Sequence, residues 1–460
     1  MPSLRKTATE VATQLIEAGH QAFFAGGCVR DQLLGIRPKD FDLATSATPE
    51  EVQDLFPDTN AIGAHFGVIL VKEKGHHFEV ATFRHDGSYQ DGRRPESVTF
   101  TNAKEDACRR DFTINGLFQH PLNREILDYV DGQKDITTQT LRAIGDPATR
   151  FQEDALRLLR AIRFSVKTGF TIEPDTWQAI QKHAHLLEKI SPERIREEFS
   201  LIISHPNRAQ GLQLLLDSGL LAQFLPEAIP LVGCEQPPQW HPEGDVFTHT
   251  KIALDLLKEQ APLELCLAVL LHDIGKPPTY TWDEKDQRIR FSGHDAVGAK
   301  MAEDILRRLR YSNDTIADVK EMVARHMQFM NVQDMRTAKV KRFMARPTFP
   351  LEMELHRVDC ASSNGFTDNY DFLTAKGEEF ANEPIIPKPL VTGKDLIEMG
   401  LKPGPQFKEI LEELQNRQLE KTLTNRDEAL QLAQTLLGTM ALQAAPQPRQ
   451  SQPEDNPREG

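Results

Sequence analysis

Short apolar runs separated by polar turns fill the first third of the chain, and helical spacing fills most of the rest. Between about 21 and 130 the runs FFAGG, GVILV, FEVATF, SVTF and EILDYV alternate with helical pieces, the pattern of strands and helices mixed in one α/β or α+β domain. The opening MPSLRKTATEVATQLIEAGH also has helical spacing. From Asp146 onward DALRLLRAIRF, WQAIQKHAHLL, IREEFSLII and AQGLQLLLDSGLL carry apolar residues at helical intervals, with no comparable strands for most of the remainder. Prolines and polar residues break this pattern at EQPPQWHPEGD (235–245) and NEPIIPKPLVTG (382–393), the candidate domain boundaries. The last stretch, LQAAPQPRQSQPEDNPREG, is too rich in Pro, Gln and charge to bury a core and is expected to be disordered. No internal repeat is visible.

At 460 residues the chain exceeds one typical core, so roughly two to four domains are expected. A formal net charge of −14 excludes a simple basic nucleic-acid sponge, so an RNA partner must be held by local Arg and Lys clusters. The 5 cysteines, Cys28, Cys108, Cys234, Cys266 and Cys360, lie far apart with no CxxC pair, which reads as reduced thiols. Without a signal-peptide pattern or a run of membrane-spanning length, the expectation is a cytoplasmic protein with no membrane contact.

The candidate chemistry starts at FFAGGCVRDQLLG, where a strand pattern meets Gly26 and Gly27 and then a helical pattern. Such a turn aims backbone N–H groups at phosphate, with Arg30 nearby to add charge; alone it is also an ordinary glycine turn. Directly downstream stands KDFDLAT. In an extended segment Asp40 and Asp42 project to one face, and their repulsion is relieved by divalent cations, for which hard oxygen ligands favour Mg²⁺. Glu79, in HFEVATF, is the candidate third carboxylate. A bare DxD is common on surfaces, but the joined segment GGCVRDQLLGIRPKDFD resembles the head of the class II tRNA nucleotidyltransferases, the family of CCA-adding enzymes and bacterial poly(A) polymerases. The resemblance implies a polymerase-type palm with two Mg²⁺ ions on Asp40 and Asp42.

RRDFTINGL (109–117) sets Arg109 and Arg110 beside Asp111, with Asn115 four residues on and expected to share a helical face with it. Arginine forks suit a triphosphate, and Asp and Asn suit a ribose hydroxyl; a structural salt bridge is the plain alternative. The stretch resembles the family motif RRDFTINAL, departing at Gly116. In EDALRLLRAIRF (153–164), Asp154, Arg157, Arg160 and Arg163 recur every third residue and are expected to spiral along one side of a helix, a spacing that also fits an exposed ion-paired helix. Cytosine and adenine both present an amino donor beside a ring-nitrogen acceptor, so Asp154 accepting and Arg157 donating would select C and A without a template. This matches the family's EDxxR motif; Arg160 and Arg163 would reach phosphates or order the helix. The resemblance also implies a flexible C-to-A switching loop at DGSYQDGRRP.

Further on, HTHTKIALDLL, LAVLLHDIGKP, SGHDAVGAK, VARHMQF and HRVDCASSNG place His249, His272, Asp273, His294, His326 and Asp359 at the ends of predicted helices. Imidazole and carboxylate are good ligands for a divalent metal, although each His alone reads as a core or capping residue. The set resembles the HD phosphohydrolase superfamily. That implies a metal-dependent phosphodiesterase or phosphatase with Lys276 near the phosphate, or an inherited helical platform for RNA.

The resulting expectation is an α+β chain with a nucleotidyltransferase catalytic domain at 1–140, a helical neck at 141–235, an HD domain at 236–381, a small helical C-terminal region at 382–440 and a disordered tail at 441–460. Its function is addition of C and A to tRNA 3′ termini from CTP and ATP, with no protein partner. The alternatives are a bacterial poly(A) polymerase or A-adding enzyme, and an HD hydrolase whose N-terminal half binds nucleotide.

Overall fold

The computed structural model describes residues 3–63, 67–87 and 98–443. The expected switching loop falls largely on 88–97, and the expected tail on residues from 444 onward, both outside the described residues. The order of elements is α1 (Leu4–Glu17), β1 (Ala22–Ala25), α2 (Gly27–Leu33), β2 (Leu43–Thr45), α3 (Pro49–Leu55), β3 (Thr59–Gly63), β4 (Val68–Glu73), β5 (His76–Thr82), β6 (Arg84–Asp86), β7 (Val98–Phe100), α4 (Ala103–Cys108), β8 (Leu117–Gln119), β9 (Ile126–Asp128) and α5 (Gly132–Thr137). There follow β10 (Thr140–Leu141), α6 (Pro147–Glu153), α7 (Leu156–Thr168), β11 (Thr171–Ile172), α8 (Pro174–His183), α9 (Pro192–Ile203), α10 (Arg208–Asp217), α11 (Leu221–Phe224), α12 (Val246–Asp255), α13 (Leu263–Leu271), β12 (Thr281–Asp283), β13 (Arg288–Arg290), α14 (His294–Arg308) and α15 (Asn313–Arg325). The chain continues through α16 (Thr337–Met344), α17 (Phe349–Ser362), α18 (Asp368–Phe380), α19 (Gly393–Glu398), α20 (Pro405–Leu419) and α21 (Arg426–Gln443).

The five apolar runs became β1, β4, β5, β7 and β9. Seven strands form one sheet in the order β3-β4-β5-β2-β1-β8-β9, in which β2 and β5 run parallel and the other neighbours antiparallel. β1, AFFA, is buried along its whole length, as a central strand covered on both faces must be. Its pairing places Phe24 opposite both Leu43 and Gln119. α1 packs beneath the sheet through Ala8, Val11, Ala12 and Leu15, all fully buried and spaced as one helical stripe.

Two compact units emerge, residues 1–326 with 358–365, and residues 327–357 with 366–460. The first holds the sheet, the helices α6 to α15 and the end of α17. The second has its own apolar clusters, one around Phe329, Phe343 and Phe380 and one around Leu396, Ile410 and Leu414. The helical remainder also contains two short ribbons, β10–β11 and β12–β13, that helical spacing did not announce. Among the described residues no helix is long and apolar enough to cross a membrane.

Inside the first unit one buried guanidinium joins two helical layers. Arg208, 0% exposed at the start of α10, donates from Nη1 to the carbonyls of Leu254 and Leu257 and from Nη2 to those of Lys258 and Glu259. These carbonyls lie in the last turn of α12 and just beyond it, where a cation is also favoured by the helix dipole. Truncation to Ala would leave a cavity and unpaired buried acceptors, so Arg208→Ala is expected to destabilise this unit by about 3 kcal/mol. Thermal unfolding of the variant beside Arg208→Lys, which keeps the charge, checks it; equal stability of Arg208→Ala and parent would refute it.

Candidate functional sites

The sheet register gathers the first site. Because Phe24 faces Leu43, Ala25 donates its N–H to the Asp42 carbonyl at 3.0 Å, and Gly26 donates to Leu117 on the other side at 3.0 Å. Leu43 pairs with Val80, so Asp42 stands beside Glu79 one step further along. Phe41 turns inward onto Phe24, with ring centroids 5.1 Å apart, while Asp40 and Asp42 stand on the opposite face. Gly26 has φ of +64°, a backbone shape that favours glycine, and a Cβ there would crowd Arg110 Nη1 at 2.9 Å.

Burial together with the charges on Asp40 and Glu79 pushes the Asp42 carboxyl up to about 7, against a smaller opposing pull from Arg110. The two carboxylates that repel one another at the cavity, with Glu79 adding its charge from the neighbouring strand, fit a hard divalent cation. Beneath them the Cys28 thiol is pushed up to about 12 by burial and by Asp42, so it stays protonated.

Asp40 and Asp42 line one side of a cavity of ≈ 600 Å³, and Gly26, Gly27, Arg30, Arg110, Asp111, Asn115, Asp154, Arg157, Arg160 and Arg163 line the rest. Glu79 stands outside that lining, exposed on β5. Arg109, Lys167 and Arg194 complete the cationic wall. Each cation is held in place. Arg30 donates to Asn115 Oδ1 at 2.5 Å and to Asp31, which also accepts from Lys167 at 3.2 Å. Arg109 and Arg110 both donate to the buried Asp106, at 2.6 and 3.0 Å. Arg160 donates to Asp111 Oδ2 at 2.8 Å through Nε, and Arg163 to Glu198 at 2.5 Å. The guanidinium carbons of Arg30, Arg160 and Arg163 lie 5.1, 5.2 and 4.1 Å from the Phe164 ring centroid.

Several local expectations change. Asp111 and Asn115 do meet, Asn115 Nδ2 donating to Asp111 Oδ1 at 3.0 Å, but across a 3-10 turn at Thr113–Asn115 rather than along an α-helix. Asp154 is not on the face of the arginine helix. It ends α6 in an extended conformation and caps the start of α7 by accepting from Leu156 N at 3.0 Å. Its carboxylate receives both terminal nitrogens of Arg194, at 3.3 and 2.9 Å. Arg157 spends Nη1 on Glu153 and the Arg150 carbonyl and Nη2 on the Arg109 carbonyl.

A second set of groups converges elsewhere in the same unit. His249 lies within α12, not at its end; His272 follows α13, His294 opens α14, His326 follows α15 and Asp359 lies within α17. Asp273 Oδ2 is 3.2 Å from His272 Nε2 and 3.7 Å from His249 Nε2, while Asp273 Oδ1 is 3.4 Å from His294 Nε2 and 3.8 Å from His326 Nε2. Asp359 Oδ1 lies 3.1 Å from His249 Nε2. Lys276 Nζ is ion-paired with Asp273 Oδ2 at 2.7 Å and donates to Gln236 Oε1 at 2.6 Å. Burial would depress His249, but hydrogen bonds to Asp359 and Glu243 prevail and push it up to about 9; burial and His272 push His326 down to about 4. Four imidazoles and two carboxylates at these distances suit divalent metal.

The sequence matches the Poly A polymerase head domain over residues 22–142, the probable RNA and SrmB-binding site of polymerase A over 169–231, and the HD domain over 243–359. It is 33% identical to a CCA-adding enzyme of Ligilactobacillus salivarius across 94% of this chain and 96% of that enzyme. The chain belongs to the CCA-adding enzyme and poly(A) polymerase family. A CCA-adding enzyme of Levilactobacillus brevis is 32% identical over 95% of this chain and 98% of its own length. Among solved structures, the Bacillus stearothermophilus CCA-adding enzyme in complex with CTP superposes with a TM-score of 0.74 at 26% identity, covering 96% of this chain and all of that one. The Thermotoga maritima CCA-adding enzyme complexed with tRNA has a TM-score of 0.59 at 16% identity over 94% of each chain, a likeness of fold.

Within this family member, sequence reasoning missed the groups that hold the site side chains in place: Asp106 and Glu198 on arginines and Arg194 on Asp154 at the first site, Gln236 on Lys276 and Glu243 on His249 at the second. The clue to Arg194 and Glu198 was available, as opposite charges at i,i+4 in RIREEFSLII with Glu198 on the buried side of α9. Gly275 of HDIGK also gains a reason. A Cβ there would lie 2.2 Å from the His294 carbonyl oxygen and 2.6 Å from the Gly298 nitrogen, so only glycine lets the turn touch α14. Gly275→Ala is expected to push His294 away, lowering stability by about 2 kcal/mol and weakening metal retention; calorimetry and metal analysis of the purified variant would show it.

Burial raises the Asp111 carboxyl, but Arg160 and Asn115 outweigh it and hold the group well below the usual carboxylate range. Its folded value being depressed, its contribution to stability is full above about pH 4 and is lost as pH falls through the folded value. Asp111→Asn is therefore expected to flatten stability against pH on the acid side. An unchanged acid limb in denaturant titrations would refute it.

Proposed function

We propose that this chain adds C and A to the 3′ terminus of tRNA from CTP and ATP without a nucleic-acid template, releasing pyrophosphate, as a cytoplasmic enzyme. The observation that carries the reading is that the carboxylate pair Asp40 and Asp42 and a pre-paired arginine cage face each other across one cavity. Relatives matched along nearly the whole chain bear the name CCA-adding enzyme.

Asp40 and Asp42, with Glu79 alongside, would hold two Mg²⁺ ions. Those ions would supply activation of the attacking 3′-hydroxyl and neutralisation of the leaving pyrophosphate. The protein's own part is positioning and charge. Arg30 and Arg110 receive the triphosphate beside Gly26 and Gly27, and because Asn115 and Asp106 already fix both guanidiniums, little ordering remains when the nucleotide arrives. Asp111 and Asn115 line the cavity for the ribose hydroxyl; Asp111 already accepts from Phe112 N, Asn115 Nδ2 and two nitrogens of Arg160, so the incoming hydroxyl takes the place of one of these donors. Asp154, steadied by Arg194, accepts from the amino group of C or A; Arg157 donates to the neighbouring ring nitrogen.

The assay is nucleotide addition to tRNA ending before CCA, with CTP alone, ATP alone and both. C addition followed by a single A supports the reading; long A tails without C incorporation would replace it with poly(A) polymerase. Asp40→Ala and Asp42→Ala are each expected to lower addition by about 10³-fold, several kcal/mol of charge stabilisation. Asp154→Ala is expected to relax selection against UTP and GTP by about 10- to 100-fold, the usual weight of a paired hydrogen-bond contact to a base.

A second activity is favoured by the convergence of four histidines on Asp273. We infer a metal-dependent phosphohydrolase at that cluster, with Lys276 beside the phosphate. His272→Ala with Asp273→Ala should abolish it while nucleotide addition persists.

A further inference from the structure

The four histidines around Asp273 are anchored in two different ways. His272, His294 and His326 each donate from Nδ1 to the main-chain carbonyl three residues earlier: Val269 at 2.8 Å, Phe291 at 2.9 Å and Val323 at 2.7 Å. A carbonyl only accepts, so each of these rings carries its proton on Nδ1 and turns the Nε2 lone pair to the cluster. His249 is anchored by a carboxylate instead. Its Nδ1 donates to Glu243 Oε1 at 2.7 Å, and the same oxygen accepts from His241 Nδ1 at 2.9 Å. The Glu243 side chain is 7% exposed, and its other oxygen is buried with no hydrogen-bond partner among the described residues.

The same asymmetry divides the cluster. The half facing Asp273 Oδ2 holds His249, His272 and the second carboxylate Asp359, whose Oδ1 is 3.1 and 3.7 Å from the two Nε2 atoms. The half facing Asp273 Oδ1 holds His294 and His326, with Nε2 atoms 3.1 Å apart and no further carboxylate among the described residues. An imidazole hydrogen-bonded to a carboxylate is a more basic ligand than one bonded to a carbonyl, and such outer partners commonly weigh 10- to 100-fold in metal affinity.

We propose that Glu243 is a positioning residue that makes this cluster load stepwise, with one divalent ion held firmly by His249, His272, Asp273 and Asp359 and a second held weakly and exchangeably by His294, His326 and the other Asp273 oxygen. The proposal rests on reading the cluster as a metal centre, and direct metal binding separates failure of one from failure of the other.

The full chain carrying Asp40→Ala and Asp42→Ala, so that only the histidine cluster binds, is stripped with chelator and titrated with Mn²⁺ by calorimetry and by the free-ion EPR signal. Two ions are expected, with dissociation constants at least about tenfold apart. Glu243→Gln keeps the size and an acceptor oxygen but removes the charge. It is expected to weaken the first ion by about 10- to 100-fold, to leave the second within about threefold, and to shift the d–d bands of Co²⁺ bound at low occupancy. Glu243→Asp, which restores the charge, is expected to recover part of the affinity. Two ions of equal affinity, or a Glu243→Gln variant that weakens both ions alike or neither, overturn the proposal and leave the metal centre standing. Absence of any bound ion overturns the metal centre and the proposal together.

Discussion

Everything in the head of this chain hangs on the register of β1. Pairing Phe24 with Leu43 on one side and with Gln119 on the other sets the ends of three segments side by side. The glycine turn, the carboxylate pair and the turn carrying Asn115 thereby reach one edge of the sheet. Side chains alternate along a strand, so a slip of one residue would drive Asp42 into the apolar layer and bring Phe41 out to the cavity. The buried contact between Phe24 and Phe41 opposes that slip, and the covered faces of β1 make it expensive. Packing thus fixes where the charges stand.

The arginines then need an explanation of their own, because a wall of cations repels itself. Seven arginines and one lysine line the cavity with only five aspartates. The balance is struck behind the wall by Asp106, Glu153 and Glu198, which contact the guanidiniums without lining the cavity. These acids fix the forks in orientation and leave the cavity face positive. That is how a chain with a net charge of −14 presents a cationic pocket suited to a triphosphate. Phe164 adds a further constraint, since three guanidiniums pack around its ring at centroid distances of 4.1 to 5.2 Å.

What the sequence disclosed followed the range of the interactions. Strands β4 and β5 were legible because local alternation and β-branched residues announce them, β1 because it is a short apolar run closed by glycines, and Gly26 because a turn needs it. Most of the cavity-lining residues were legible because they sit in compact motifs, GGCVRD, KDFD, RRDFTIN and EDALRLLRAIRF. Asp154 was placed on the arginine helix because spacing by three suggests a continuous face. The helix instead breaks before Leu156, and the break is what lets Asp154 cap α7 and meet Arg194 from α9. Asp106, Arg194 and Glu198 stayed hidden because a charged residue in a charged helix reads as solvated until its partner element is known.

The histidine cluster depends on the same kind of long-range contact, in a form that periodicity does not encode. His272 and Asp273 are adjacent in sequence, yet the other groups arrive from four separate helices. They meet because the turn after α13 presses against α14 at Gly275, with no room there for a side chain. One carboxylate, Asp273, then offers each of its oxygens to a different pair of imidazoles. Its negative charge is shared between the two halves, so whatever distinguishes them must come from groups beyond it. Asp359 and Glu243 both stand on the His249 side, so a cation there meets more fixed negative charge and a more basic imidazole than one beside His294 and His326.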